Sequence, residues 1–102
     1  MAYDAGTVVK SEFSGEYQLA YVDVDTDGAT GNVTLSEFDE VFVLSAVLIE
    51  DPAANCSSVT AKEDETTLNK VNIKLWKDDN TAASASWKDV RLVVLGLLTS
   101  NP

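Results

Sequence analysis

Apolar residues in this chain recur at every second position over long stretches, and twice they fill consecutive positions. From Glu16 to Val24, Tyr17, Leu19 and Tyr21 fall on one side and Gln18, Ala20 and Val22 on the other. From Lys70 to Trp76, Val71, Ile73 and Leu75 alternate with Asn72, Lys74 and Trp76. A period of two sends successive side chains to opposite faces of a pleated strand, so these segments are predicted strands. Val41 to Ile49 is apolar throughout except for Ser45, which predicts a strand covered on both faces. A buried helix is the competing reading. Val41, Phe42, Val43, Val47 and Ile49 favour the strand, and Asp51-Pro52 ends the element. Trp87 to Leu98 is predicted as the last long strand, apolar on both faces in its second half.

Turn-forming residues separate these runs. Asp25 to Asn32 holds Asp-Gly and Gly-Asn dipeptides, Pro52 to Ser58 reads as a loop, and Glu63 to Thr67 and Lys77 to Asn80 read as polar turns. Asn32 to Ser36 is a short extended segment, although Ser36 to Asp39 could form one helical turn capped by Ser36. Ser58 to Lys62 is a further short strand, and the small residues Thr81 to Ser86 make a loop or edge. The expected fold is all-β: a small antiparallel β-sandwich or partial barrel of six to seven strands with little or no helix. Residues 1–14 are expected as an N-terminal arm, the best candidate for a mobile segment, and residues 15–102 as a single domain.

With 102 residues there is room for one modest core. The charge is lopsided, 17 acidic residues against 7 basic for a net −10. Residues 1–40 carry nine acids and only Lys10, whereas residues 71–102 carry three acids and four bases. Such a balance argues against nucleic acid as a general partner, since phosphates would be repelled. It suits a solvated acidic surface, a basic partner, or adaptation to high salt. The chain has no histidine and one cysteine, which excludes a Ser-His-Asp triad, a Cys-His dyad, an imidazole metal site and an internal disulfide. Cys56 is expected as a free thiol, with an intermolecular disulfide as the alternative. Asn32-Val33-Thr34 and Asn55-Cys56-Ser57 match the glycosylation pattern, which matters only outside the cell. Residues 1–15 lack the basic and apolar regions of a signal peptide, and the apolar run Leu92 to Leu98 is too short for a membrane span. The reading is a soluble protein made in the cytoplasm, with no membrane partner.

Carboxylates at alternate positions followed by glycine, Asp23-Val24-Asp25-Thr26-Asp27-Gly28, are similar to the start of a calcium loop. The twelfth position, however, is Thr34, where a bidentate Glu is needed, and Glu37 falls three residues late. An acidic hairpin is the main reading and a calcium site at Asp23, Asp25 and Asp27 the alternative. The acids cluster in turns rather than in apolar pockets that would raise a pKa, and the glycines form no phosphate loop, so no catalytic residues and no cofactor are expected. A small hydrolase or isomerase using carboxylates is the least supported option. Trp76 falls on the polar face of its strand and Trp87 opens the last one. Exposed Trp is enriched at interfaces, though Trp76 packed under a loop or on a second sheet is the competing reading. Arg91, Val93, Leu95 and Leu97 form one mostly apolar face opposite Leu92, Val94 and Leu98. A chain this short covers both faces only if this strand is central in a tight sandwich, or if another subunit buries one. The candidate interface is therefore Trp76, Trp87, Arg91, Val93, Leu95 and Leu97, with self-association expected.

The order of segments resembles small structural proteins of tailed bacterial and archaeal viruses that decorate or cement the capsid. It runs from the strand Tyr17 to Val24, through a Thr-Gly-rich turn and Val33-Thr34-Leu35, to a hydrophobic strand ending in Asp51-Pro52. The strand Val71 to Lys77 and a final Val90 to Gly96 complete it. The resemblance spans roughly residues 15–98 and is one of order and composition, with no sharp motif. It implies a β-rich virion subunit without catalytic residues, often a homotrimer, bound to the outer shell of major capsid protein. In such proteins a short N-terminal arm often reaches a neighbouring subunit, which would suit residues 1–14, and an acidic subunit would suit a basic shell. A tail, fibre or collar component of the virion and a calcium-dependent β binding module are the alternatives.

Overall fold

A computed structural model describes residues 2–10, 17–84 and 87–98. Glu16, residues 11–14 of the expected arm, and Ala85 and Ser86 of the expected loop lie outside the described residues. Eight strands follow in chain order: β1 (Asp4–Ala5), β2 (Val9–Lys10), β3 (Tyr17–Asp25), β4 (Thr30–Thr34), β5 (Phe38–Leu48), β6 (Ser58–Glu63), β7 (Lys70–Trp76) and β8 (Val90–Leu98). They form two antiparallel sheets. The larger runs β1-β3-β8-β5, with β2 also pairing with β3, and the smaller runs β4-β7-β6. The all-β sandwich is thus as expected. Two strands of two residues each, ahead of Tyr17, raise the number above six or seven.

The core lies between the sheets. Ala20, Val22 and Val24 of β3, Val41 of β5 and Val90, Leu92 and Val94 of β8 face Val33 of β4 and Val71, Ile73 and Leu75 of β7, all buried. Leu35, Phe38, Cys56 and Ala83 complete it. Alternation makes this possible, since each strand contributes every second side chain. Cys56 is a free, buried thiol. Phe38 follows a turn closed by its N–H on the Leu35 carbonyl (3.0 Å), so Ser36 and Glu37 sit in a turn that leads straight into β5. The Phe38 ring lies against Gly96 of β8, where an added Cβ would come within 2.5 Å of it.

Residues 2–10 run along the body of the molecule. Tyr3 is buried, with its ring against Gly31 of β4 where any Cβ would collide. Its hydroxyl donates to the Gly28 carbonyl (2.6 Å) and its N–H to the Asn32 carbonyl (2.8 Å). Asp4 and Ala5 then pair with Asp25 and Val24, so this segment crosses from the edge of the small sheet to the large one. Burial, with smaller contributions from the charges of Asp27 and Cys56, pushes the Tyr3 phenol up to about 12.

One expectation is corrected. The apolar run Val41 to Ile49 predicts a strand covered on both faces, yet β5 is an edge strand with one covered face. Val41 is buried and Val43, Ala46 and Leu48 pack partly against the core. Phe42, Leu44, Val47 and Ile49 remain 38–55% exposed. The smaller sheet can lie against only one side of the larger sheet, and no other layer is present among the described residues. Register shifts between Phe38 and Glu40 and between Val43 and Ser45 mark bulges that add Asp39 and Leu44 to this edge. Trp87 precedes β8 instead of opening it.

Candidate interaction surface

β8 is central in its sheet, paired along its length with β3 on one side and β5 on the other. Its inward row, Val90, Leu92 and Val94, is fully buried. Its outward row, Arg91, Val93, Leu95 and Leu97, is half-buried and continues across the strands in register. Leu95 lies between Leu19 and Phe42, Val93 between Tyr21 and Ser45, Leu97 between Tyr17 and Glu40, and Arg91 between Asp23 and Val47. Val9 of β2 pairs with Tyr21 and extends the face beyond β3. Tyr17 and Phe42 flank it with ring centroids 6.2 Å apart. At about 4.8 Å between strands and about 3.3 Å per residue, three to four strands of this length present roughly 500 Å² of sheet. That is at the upper end of what a soluble monomer leaves open.

The face is nearly free of net charge. Arg91 Nε donates to Asp23 Oδ1 at 2.7 Å and Nη2 to Oδ2 at 2.9 Å, a paired contact that neutralises both groups. Hydrogen bonding from Arg91 holds the Asp23 carboxyl below the usual carboxylate range, and the same contact raises Arg91. The guanidinium also stacks 4.5 Å from the centre of the Tyr21 ring. Beside this group a dimple of about 240 Å³ opens between Val9, Leu19, Tyr21, Arg91 and Val93, with Lys10 at its rim. Glu40 is the remaining charge along the registered rows.

The residues picked from the sequence separate into two groups. Arg91, Val93, Leu95 and Leu97 share this face. Trp76 belongs to the outer side of the small sheet, where its indole N–H donates to Thr60 Oγ1 (2.9 Å) and Lys74 Nζ sits 4.1 Å from its ring centre. Trp87 is partly buried against the core. Tyr17, Leu19, Phe42, Leu44 and Val47 were missed as surface residues. The available signal was the doubly apolar run from Val41, because one of its two faces had to stay uncovered.

The three aspartates offered for calcium have different neighbours. Asp23 is held by Arg91. Asp25 lies beside Asp89, whose carboxyl is pushed above its usual range by burial first and then by the charges of Asp25 and Glu50. Asp27 is exposed on the Tyr3 side. Among the described residues no three His, Cys, Asp or Glu side chains gather around a common point. No helix is long and apolar enough to cross a membrane among the described residues. Compared with known proteins, the chain matches no family model, no curated protein and no solved structure.

Proposed function

We propose that this chain is a non-enzymatic structural subunit of a virion, a capsid decoration protein that self-associates, as a homotrimer, and binds the outer shell of major capsid protein. The observation that supports the reading best is the apolar, charge-neutralised outer face of β3, β8 and β5 on a chain of net charge −10. A strongly acidic monomer has no solubility reason to keep Leu19, Phe42, Leu44, Val47 and Leu95 along one face, whereas a subunit that meets copies of itself does. The acidic remainder is then left for solvent, cations or a basic shell surface. The order of segments, similar to that of capsid decoration proteins, supports the same reading.

The test is the particle itself. Mass spectrometry and cryo-electron microscopy of purified virions from the native source should find the chain in regular clusters of its own copies on the shell. Its absence from particles would reject the proposal, and density on tail or fibre would move it there. A calcium-binding module is the second reading; it requires Asp23 to leave Arg91, so a calcium-dependent rise in melting temperature lost in D23N would favour it.

A further inference from the structure

The small sheet presents an outer surface of opposite character. Registered pairing places Thr30, Lys74 and Thr60 in one row across β4, β7 and β6, and Asn32, Asn72 and Lys62 in a second row two residues along. Between them runs the backbone of Gly31, Ile73 and Ala61, whose side-chain positions face the other way, toward the core. The rows are two ridges about 7 Å apart, and the floor between them is a trough lying across the strands. This open trough has a volume of about 560 Å³. Lys62, Lys70 and Lys74 place three of the chain's seven basic residues on this one face. None of the three forms an ion pair among the described residues.

We infer that this trough binds an acidic oligosaccharide, one carrying carboxylate or sulfate groups on a polyhydroxylated chain. The ridges consist of hydroxyl, amide and ammonium groups. Thr and Asn side chains both donate and accept, as sugar hydroxyls require of a partner, and the lysines supply charge for the acid groups. Thr60 accepts the Trp76 indole N–H and keeps its own O–H to donate, and the Trp76 ring holds Lys74 in place. Asn72 gives one amide hydrogen to Asp64 Oδ1 (2.9 Å), leaving its carbonyl oxygen to accept. Asp64, held well below the carboxylate range by Asn72, Thr67 and Thr66, sets one negative charge beside the central residue of that ridge, Asn72, against the two positive charges of Lys62 and Lys74.

Other occupants fit less well. A peptide lying across the strands cannot add to a ladder, because β7 is already paired on both sides. The ridges also lack the aromatic and aliphatic pockets that anchor protein partners. Polyphosphate chains carry no hydroxyls to donate to the Asn72 carbonyl oxygen, which the sugar hydroxyls of an acidic oligosaccharide can do.

This inference stands independently of the assembly reading. The test is an amide NMR titration of the full chain with tetragalacturonate, with maltotetraose and a tetraglutamate peptide in parallel. The acidic sugar should give saturable shifts confined to Thr30, Asn32, Thr60, Lys62, Asn72 and Lys74, with a dissociation constant below about 1 mM that weakens with salt. K62Q, which removes a charge that forms no ion pair among the described residues, should weaken binding at least threefold with the rest of the spectrum unchanged. K74Q should weaken binding likewise, with spectral change in the free protein confined to Lys74 and its contact, Trp76. Absence of shifts, shifts elsewhere, unchanged binding in both variants, or equal binding of the neutral sugar or the peptide would each overturn it.

Discussion

Leu95→Lys is the most direct probe of the large sheet's outer face. Leu95 occupies the middle of that face, between Leu19 and Phe42 in register. In the single chain it is half-buried and points outward, so a lysine stem can lie along Leu19 and Phe42 with its ammonium in water. The cost to folding is then within about 1 kcal/mol, the span of strand preferences. In a self-associated state the same position is covered. Burying a leucine fully is worth about 1.5–3 kcal/mol, and since the chain already covers part of it, about 1 kcal/mol per copy is lost. Each ammonium trapped without a partner costs several kcal/mol more. Association should therefore weaken by at least about 3 kcal/mol, more than 100-fold in dissociation constant. Sedimentation equilibrium at several loading concentrations measures this, with melting followed by circular dichroism as the check on folding. Leu92→Ala, on the inward row of the same strand, is the control. It should cost about 2–5 kcal/mol of stability and leave the stoichiometry of folded protein unchanged. A wild-type chain that sediments as a monomer throughout, or an L95K variant that associates as the wild type does, would refute the reasoning.

Three further outcomes follow from the packing. Asp23 has a lowered carboxyl pKa because of Arg91, so its contribution to stability is present above the ordinary carboxylate pKa and is lost as pH falls through the depressed one. The difference in melting temperature between wild type and D23N should therefore shrink in acid, and R91Q should return the Asp23 titration toward the usual range, as followed by carboxyl NMR. Tyr3→Phe removes the hydroxyl that reaches the Gly28 carbonyl at 2.6 Å and should cost about 1 kcal/mol in urea unfolding. In the wild type, ultraviolet titration should show one phenol ionising near 12, with stability lost between about 10 and about 12 as the raised pKa requires. Gly96→Ala places a methyl group against the Phe38 ring and should destabilise by about 1–3 kcal/mol; a change below about 0.5 kcal/mol in urea midpoint analysis would show that Phe38 moves freely.

Much of the secondary structure was legible because strand periodicity is local. Tyr17 to Val24 and Lys70 to Trp76 announce their inward residues directly, and the glycine- and aspartate-rich stretches mark the turns between them. The N-terminal segment was harder to read. Nothing about Tyr3 in the chain order says that its ring will rest on Gly31, because the glycine that makes room for it is 28 positions away. The candidate surface was half legible for a related reason. Arg91, Val93, Leu95 and Leu97 share a face by alternation alone, but Trp76 and Trp87 were grouped with them on chemical type, and type does not place a side chain on a sheet.

Local order in the sequence determined that this chain is made of strands, where most of them begin and end, and which residues of β8 travel together. Only the tertiary structure decided which face is covered. β5 and β8 carry apolar side chains on both sides, and alternation is symmetric between them. The symmetry is broken by the three-stranded sheet, which is large enough to cover one face of its partner and lies on the side where Val22, Val41 and Leu92 meet Ile73 and Leu75. Sheet pairing likewise brought Asp23 to Arg91, 68 residues away, and thereby cancelled charge in the middle of the open face. The same pairing set Lys62 and Lys74 on the two ridges that border the trough. Such contacts depend on cross-strand register, a relation between distant segments that no local pattern contains.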